Sequence, residues 1–226
     1  RRIVTDASGR ARALVIRAHG AGADEEHAAR TIVVAAGPFE TPRLLLLSRD
    51  ARRPDGLGNQ GGHVGKHLVF HHLWSGHMHY REKLFPGRAG FWTGQSHQFC
   101  DPPTRARHGG IKLEFSTAFG PQHERRAASM SSAAAALAAF EPARRCRRVT
   151  MHTESDTSPH KHVRLSEARD RFGDPCAHVE YRLSEYDRQT FRFGRELFER
   201  IAAASGATER EFCDIRDFDT YNHYMG

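Results

Sequence analysis

Several protein classes are excluded by what the sequence lacks. Its longest apolar runs, at 32–36, 44–47 and 133–140, are far shorter than the ~18 residues of a membrane-crossing helix, so we expect no transmembrane segment. Its four cysteines include no C-x-x-C pair, which excludes a zinc ribbon and a disulfide-dense scaffold. The chain begins without Met or a signal region, and we therefore expect it to be a piece of a longer protein.

The composition is that of a folded protein with a basic surface. Of its 226 residues, 38% are hydrophobic and 27% are charged, and the length allows one or two domains. The net charge of +7 and the isoelectric point of about 9.6 raise the question of an anionic partner. No helix-turn-helix, zinc-finger spacing or aromatic-interleaved RNA-binding pattern accompanies this charge. We therefore expect no nucleic-acid binding.

The first 50 residues predict a hairpin, a buried strand and a helix. Short β-compatible runs at 3–5 and 13–18 flank a turn-forming Asp-Ala-Ser-Gly. Residues 31–36 are continuously apolar, which is typical of a strand buried on both faces. After Gly-Pro, Thr41 is a suitable N-cap and Pro42 a suitable first helical residue for a leucine-rich helix.

Farther along the chain the pattern changes to that of an antiparallel sheet with flanking helices. Residues 111–119 alternate between apolar and polar side chains, as a half-buried strand does. The segment 124–140 is alanine-rich and is expected to be helical, and Ser184 with Asp187 forms a capping-box pattern for a helix ending at Gly206. Further strands are expected at 148–154, 162–165 and 177–183.

Two motifs have both a functional and a structural interpretation. The segment 56–61 fits G-x-G-x-x-G, but it lacks the preceding strand and following helix that phosphate binding requires, so a surface loop is predicted. The sequence also contains a group of histidines whose spacings do not fit one regular face and which include no acidic ligand between them. We expect no metal site, although one or two of these histidines could line a polar site. They are His63, His67, His71, His72, His77 and His79.

The most informative stretch is VVAAGPFETPRLLLLS at 33–48. Composition alone would leave it as a buried strand, a turn and a helix. Its order resembles the signature of the glucose-methanol-choline (GMC) family of flavin oxidoreductases, with Arg49 in place of the usual glycine. VGKHLVFH at 64–71 is similar to that family's V-G-x-N-L-x-D-H, with His67 and Phe70 as the departures. YNHYMG at 221–226 resembles the start of its His-x-x-Gly segment.

The resemblance implies an α+β chain of two parts. One is a fragment of a Rossmann-like FAD-binding domain, and the other is an antiparallel-sheet substrate domain with flanking helices that forms the floor of the substrate pocket. The expected divisions are 1–50 for the FAD-binding part, 51–110 for a connecting segment, 111–215 for the substrate domain and 216–226 for the return to the FAD domain. The family's first FAD-binding segment and its final segment are not in this sequence, so we expect the fragment to be inactive alone.

The resemblance also implies an activity and a set of site residues. The enzyme would oxidise the CH-OH group of an alcohol, sugar or sugar acid by hydride transfer to FAD, and oxygen, a quinone or a cytochrome would accept the electrons. His223 is the predicted catalytic residue, handling the hydroxyl proton. Ala36, Gly37 and Asn222 are the predicted cofactor-binding residues. The small residues Ala36 and Gly37 let the chain pass close to the cofactor. The aromatic residues Trp74, Phe91 and Trp92 are expected to line the pocket, if they are not core.

A second interpretation from a different class is a non-catalytic, basic α+β binding module or an inactive relic of a flavoprotein. Salt-dependent binding to polyanions, together with an absence of flavin in the parent protein, would favour that interpretation.

Overall fold

The computed structural model describes residues 1–84, 94–117, 128–215 and 221–225. Its architecture is α+β, with mostly antiparallel sheets and few helices. Two compact units form, each from several stretches of the chain. The first contains Arg1–Val69, Thr157–Arg182 and His223–Gly226, and the second contains Phe70–Asp156 and Leu183–Asn222.

The first unit begins with the predicted hairpin. Strands β1 (Arg2–Thr5) and β2 (Ala11–Ile16) pair antiparallel, and the Asp6 carboxylate accepts hydrogen bonds from backbone N–H groups within the turn. A third strand, β3 (Glu25–Ala28), pairs with β2 and was not predicted. Its sequence, EEHA, is exposed throughout and has no apolar alternation, so only its pairing makes it a strand.

The predicted strand at residues 31–36 is not formed. These residues have no strand assignment, no described strand pairs with them, and Val33 is 84% exposed. The sheet of this unit runs in the order β1, β2, β3. An apolar run becomes a strand buried on both faces only where strands and covering layers surround it. The Rossmann-like character of this part therefore stays a prediction.

The predicted helix forms, but it starts a full turn earlier than expected. Helix α1 spans Gly37–Leu47, its N-cap is Ala36, and no side chain caps it. The assignment of Thr41 as N-cap and Pro42 as first helical residue was wrong. An earlier proline, Pro38, already occupies the first turn, where a missing N–H costs nothing.

The remainder of the first unit packs on this helix. Strands β8 (His162–Arg169) and β9 (Pro175–Glu180) form an antiparallel hairpin. They confirm the predicted strand at 162–165 and part of the one at 177–183. Arg43 joins it to α1, with its guanidinium donating to the Pro175 carbonyl at 2.7 Å and to Asp170 at 2.6 Å. The G-x-G-x-x-G segment is a loop of turns, as predicted, whose Leu57 N–H donates to the Leu45 carbonyl of α1.

The second unit is built on an antiparallel sheet. Its main strands are β4 (Val69–His79), β5 (Gly94–Phe99), β6 (Ile111–Thr117), β7 (Cys146–Thr153) and β10 (Glu209–Phe212), and they lie in the order β10, β4, β7, β6, β5. A further strand, β11 (Tyr221–Met225), divides between the two units after Asn222. The predicted strands at 111–119 and 148–154 are confirmed over the residues that the structure describes.

Two helices belong to the second unit. Helix α2 (Ala133–Phe140) has Ser132 as its N-cap and confirms the last part of the expected alanine-rich helix. Residues 129–132 are not helical, and residues 124–127 lie outside the described ranges. Helix α3 (Glu185–Ala204) has the predicted Ser184–Asp187 capping box. It packs on one face of the sheet, where its apolar side chains and those of the strands form the core. The core comprises Met78, Ile111, Leu113, Val149, Met151, Leu197, Phe198 and Ala202.

Candidate functional site

The two faces of the second unit's sheet differ in chemistry. Along β4, alternate side chains are buried under α3: Trp74 packs edge-on against Phe191 at 4.9 Å between ring centroids, and Met78 joins the core. The intervening positions are half-buried and lie on the other side. Cross-strand pairing places polar side chains of β6 and β7 beside them. We call this side the polar face; it carries His71, Ser75, His77, His79, Lys112, Glu114, Cys146, Arg148, Thr150 and His152.

Glu114 lies at the centre of one hydrogen-bonded cluster on the polar face. Its side chain is only 5% exposed. Lys112 Nζ donates to Oε1 at 2.5 Å, and His152 Nε2 is 2.8 Å from Oε2. The Gln95 amide of β5 also donates to Oε1, at 3.3 Å. Side chains from β5, β6 and β7 thus hydrogen-bond to one carboxylate.

The cluster determines the charge of its members. Burial raises the pKa of Glu114, but the hydrogen bonds from Lys112 and His152 outweigh it, so the pKa lies below the usual value and the carboxylate is ionised. Burial lowers the pKa of His152 more than Glu114 raises it. At neutral pH we therefore assign a neutral imidazole to His152. Lys112 and Glu114 compensate each other's charge.

Hydrogen bonding also assigns the tautomers of two imidazoles. Glu114 only accepts hydrogen bonds, so the proton of neutral His152 is on Nε2 and the lone pair is on Nδ1. His71 Nδ1 is 3.0 Å from the carbonyl oxygen of Thr153, so Nδ1 carries a proton and donates it to this oxygen. The two rings lie 6.4 Å apart, edge to face.

Groups with shifted pKa values also lie at the other end of the polar face. Arg148 donates to Ser75 Oγ at 3.0 Å, and Ser75 Oγ lies 3.3 Å from the Thr150 hydroxyl. Burial and the neighbouring Arg148 lower the pKa of His77. Burial raises the pKa of the Cys146 thiol to about 11, so this cysteine is protonated at neutral pH.

Sequence reasoning did not single out the polar face as a site. A signal was present, since Lys112, Glu114 and His152 occupy the polar positions of two alternating runs. Their adjacency depends on the register between β6 and β7, which are almost 30 residues apart in sequence.

The predicted cofactor-binding residues Ala36 and Gly37 lie together at the start of α1. Both are exposed. Gly37 has φ of +76°, and a Cβ added there would meet nothing within 4 Å. The helix start is therefore open and free of side-chain bulk. An open helix N-terminus favours an anionic group.

The predicted catalytic residue His223 and its neighbour Asn222 lie in β11. His223 is exposed and has φ of +51°, a left-handed backbone that non-glycine residues seldom adopt. The four predicted site residues thus form two groups, one at the start of α1 and one in β11.

Other residues with a predicted role are placed differently. Trp74 is 5% exposed and stacks on His72 at 5.3 Å, so it is core and not pocket lining. Phe91 and Trp92 lie outside the described residues. Within the described ranges, no three His, Cys, Asp or Glu side chains are grouped so that they could hold a metal ion. No helix in that part of the chain is long and apolar enough to cross a membrane.

Comparison with known proteins relates the chain to dehydrogenases. No protein-family model matches it. It is 27% identical over 202 residues to the fructose dehydrogenase large subunit of Gluconobacter japonicus, an alignment covering 88% of this chain and 37% of that protein. It is 29% identical over 218 residues to 2-methyl-1,2-propanediol dehydrogenase of Mycolicibacterium austroafricanum, covering 91% of this chain and 39% of that protein. The chain thus spans less than two fifths of the length of these curated relatives. Both are named as dehydrogenases, which indicates an oxidoreductase.

Proposed function

We propose that the chain is part of an FAD-dependent oxidoreductase of the GMC type that oxidises the CH-OH group of an alcohol or sugar. The observation that carries the proposal is the similarity to two dehydrogenases, which extends over 88% and 91% of the chain. Their names specify substrates with more than one hydroxyl group. The GMC-like order of residues 33–48 supports the more specific assignment.

The residues at the start of α1 fit the proposed cofactor. Ala36 and Gly37 offer an exposed helix start with no capping side chain, where a phosphate-bearing group can approach the backbone. With Asn222, they would hold FAD in the full-length protein. FAD, when bound, supplies the acceptor for the hydride of the substrate carbon.

His223 would take the hydroxyl proton of the substrate or stabilise the alkoxide by a hydrogen bond. An imidazole is suited to this task because it exchanges protons near neutral pH. Its left-handed backbone supports a functional role, since strained non-glycine residues cluster at functional sites. Asn222 and Tyr224, which flank it in β11, would orient the ring.

The polar face would contact the substrate, while the opposite face anchors α3. A small alcohol or sugar presents hydroxyl groups, and this face offers imidazole, carboxylate, ammonium and hydroxyl partners for them. The name of one relative specifies a large subunit, so a partner subunit is part of the proposal for this chain. The electron acceptor, such as a cytochrome or a quinone, stays a prediction.

The test uses the full-length protein. His223→Ala should slow flavin reduction by substrate by ~10²-fold or more while FAD stays bound. The matched control is His19→Ala, an exposed histidine of the first unit, which should leave the rate unchanged. Equal rates for His223→Ala and wild type would remove His223 from its role. A protein without flavin that binds polyanions in a salt-dependent manner would instead support a binding module.

A further inference from the structure

The loop before β4 brings two histidine side chains of the first unit together. The Lys66 N–H donates to the His63 carbonyl at 2.9 Å, and His67 follows this turn with a left-handed backbone, φ of +64°. His63 Nδ1 lies 3.3 Å from His67 Nε2, and the two ring centroids are 5.5 Å apart. The spacing of the histidines along the sequence predicted no metal site, but this pair forms at a turn and needs no regular face.

The separation of the two nitrogens is that of two ligands on one zinc ion. Imidazole nitrogens bind Zn²⁺ at about 2.0–2.1 Å in tetrahedral geometry, which sets two of them about 3.3 Å apart. The 3.3 Å between His63 Nδ1 and His67 Nε2 matches this value. Two rings that point at one such ion have centroids about 5.2 Å apart, and the observed distance is 5.5 Å. Small rotations of the rings therefore suffice to direct both nitrogens to one ion.

His67 also makes the outer hydrogen bond that is typical of a metal-binding histidine. Its Nδ1 is 2.9 Å from the carbonyl oxygen of Thr157, so Nδ1 carries a proton and donates it to this oxygen. In the neutral ring, the lone pair is then on Nε2, the nitrogen that faces His63. A backbone carbonyl that holds one ring nitrogen fixes the tautomer and the orientation with which the other binds a metal. Thr157 is 90 residues away in sequence, so the turn alone does not produce this contact.

The His63 ring lies over a glycine, in a loop that is fixed by hydrogen bonding. A Cβ added to Gly61 would lie 2.9 Å from His63 Cδ2, so the missing side chain leaves the room that the ring occupies. The Asn59 side chain accepts from the Val64 N–H at 3.0 Å and holds the next residue in place. His63 is exposed and His67 is half-buried, so ions from solvent can reach the pair.

We propose that His63 Nδ1 and His67 Nε2 bind one Zn²⁺ ion, with water molecules as the remaining ligands. The described residues provide no third His, Cys, Asp or Glu ligand. On binding, His63 gives up its Nδ1 proton to solvent and takes up a proton on Nε2, so that its ring stays neutral with the lone pair on Nδ1. Neutral imidazole suits Zn²⁺, whereas Ca²⁺ and Mg²⁺ prefer oxygen ligands. The site is separate from the residues to which the proposed oxidoreductase function assigns roles.

Calorimetric titration of the full-length protein with ZnCl2 tests the site. His67→Asn is the main variant, because asparagine also adopts the left-handed backbone of this position but has no imidazole. It should lose one Zn²⁺ site per chain or weaken that site at least about tenfold, and His63→Gln should have the same effect. The matched control is His19→Gln, an exposed histidine of the first unit, which should bind Zn²⁺ as the wild type does.

Thermal unfolding supplies an independent readout. A ligand that binds only the folded state raises the Tm, so ZnCl2 should raise the Tm of the wild type and of His19→Gln more than that of either site variant. CaCl2 and MgCl2 at the same concentration should not reproduce this difference, because neither cation prefers imidazole.

The inference is overturned by a wild type that does not bind Zn²⁺, and equally by site variants that keep the number and affinity of the wild-type sites. A rise in Tm that CaCl2 reproduces in full would also overturn it, because binding would then depend on charge and not on imidazole. If His67→Asn does not fold, His63→Gln decides the matter, since this exposed side chain can be replaced without loss of packing. None of these outcomes bears on flavin reduction, so the oxidoreductase function is tested separately.

Discussion

Nε2 of His72 lies 3.4 Å from Oδ1 of Asp187, and their side chains are 2% and 0% exposed. The same carboxylate accepts from the Ser184 backbone N–H at 2.9 Å and from the Ser155 hydroxyl at 3.0 Å. Asp187 therefore joins strand β4, the segment after β7 and the first turn of α3.

We expect Asp187→Ala to reduce the free energy of unfolding by about 3 kcal/mol. The change removes a capping box and leaves buried donors without their acceptor. Urea denaturation of the protein measures it. Asp214→Ala is the control, because Asp214 is exposed and, among the described residues, its ion pair is the 3.7 Å contact with Arg195. This substitution should change the free energy of unfolding by less than about 0.5 kcal/mol. Equal effects of the two substitutions would contradict this account.

Two glycines with nearly equal φ angles differ in the space around them. Gly65 and Gly173 have φ of +83° and +82°, but a Cβ on Gly65 would lie 2.1 Å from the Val163 carbonyl oxygen, whereas one on Gly173 would meet nothing within 4 Å. Gly173→Ala should lower the free energy of unfolding by about 1 kcal/mol, which is the strain of a left-handed backbone at an alanine. Gly65→Ala should cost about 3 kcal/mol or more, because the backbone must also move. Thermal or urea unfolding that ranked them in the opposite order would show that the Gly65 contact is not close.

A third prediction concerns thiol reactivity. With a pKa of about 11, Cys146 is about 0.1% thiolate at pH 8. We expect a thiol reagent to modify it only after unfolding in urea, whereas the half-buried Cys100 and Cys176 react in the folded protein. Mass spectrometry of peptides after timed modification distinguishes the sites. Modification of Cys146 at the rate of Cys176 would indicate that β7 opens in the native state.

The acid dependence of stability supplies a fourth prediction. Because the pKa of Glu114 is lower in the folded protein than its ordinary value of 4.5, ionised Glu114 contributes stability above about pH 4.5. That contribution is lost as the pH falls through the lower, folded-state pKa. The difference in unfolding free energy between wild type and Glu114→Gln should thus be largest at pH 6 and shrink toward pH 3. A difference that is constant across this range would show that the ionised form is not favoured by folding.

The elements that sequence analysis predicted well are those whose signals are local. Helix α3 was predicted at both ends because its capping box and the glycine after its last turn are adjacent to it in sequence. Strand β6 was predicted because its apolar and polar residues alternate, with Ile111 and Leu113 in the core and Glu114 on the polar face. The residues at 31–36 were mispredicted because apolar content does not supply the neighbouring strands that pairing requires.

The candidate site was predictable only in part. Ala36, Gly37, Asn222 and His223 were identified through their resemblance to a family, and their roles remain predictions. The cluster around Glu114 was not identified, because the register between β6 and β7 brings Lys112 and His152 together. An alternating run indicates which residues share a face, but it does not specify which strand lies beside it.

The alternation along β4 constrains how this protein can vary. The even-numbered residues of Val69–His79 are buried, and His71, Ser75, His77 and His79 of the polar face lie between them. A single inserted or deleted residue would exchange the two sets, moving His77 under α3 and Met78 out of the core. Homologous sequences should therefore tolerate substitutions on this strand while keeping its length, and gaps in their alignments should fall in the loops on either side.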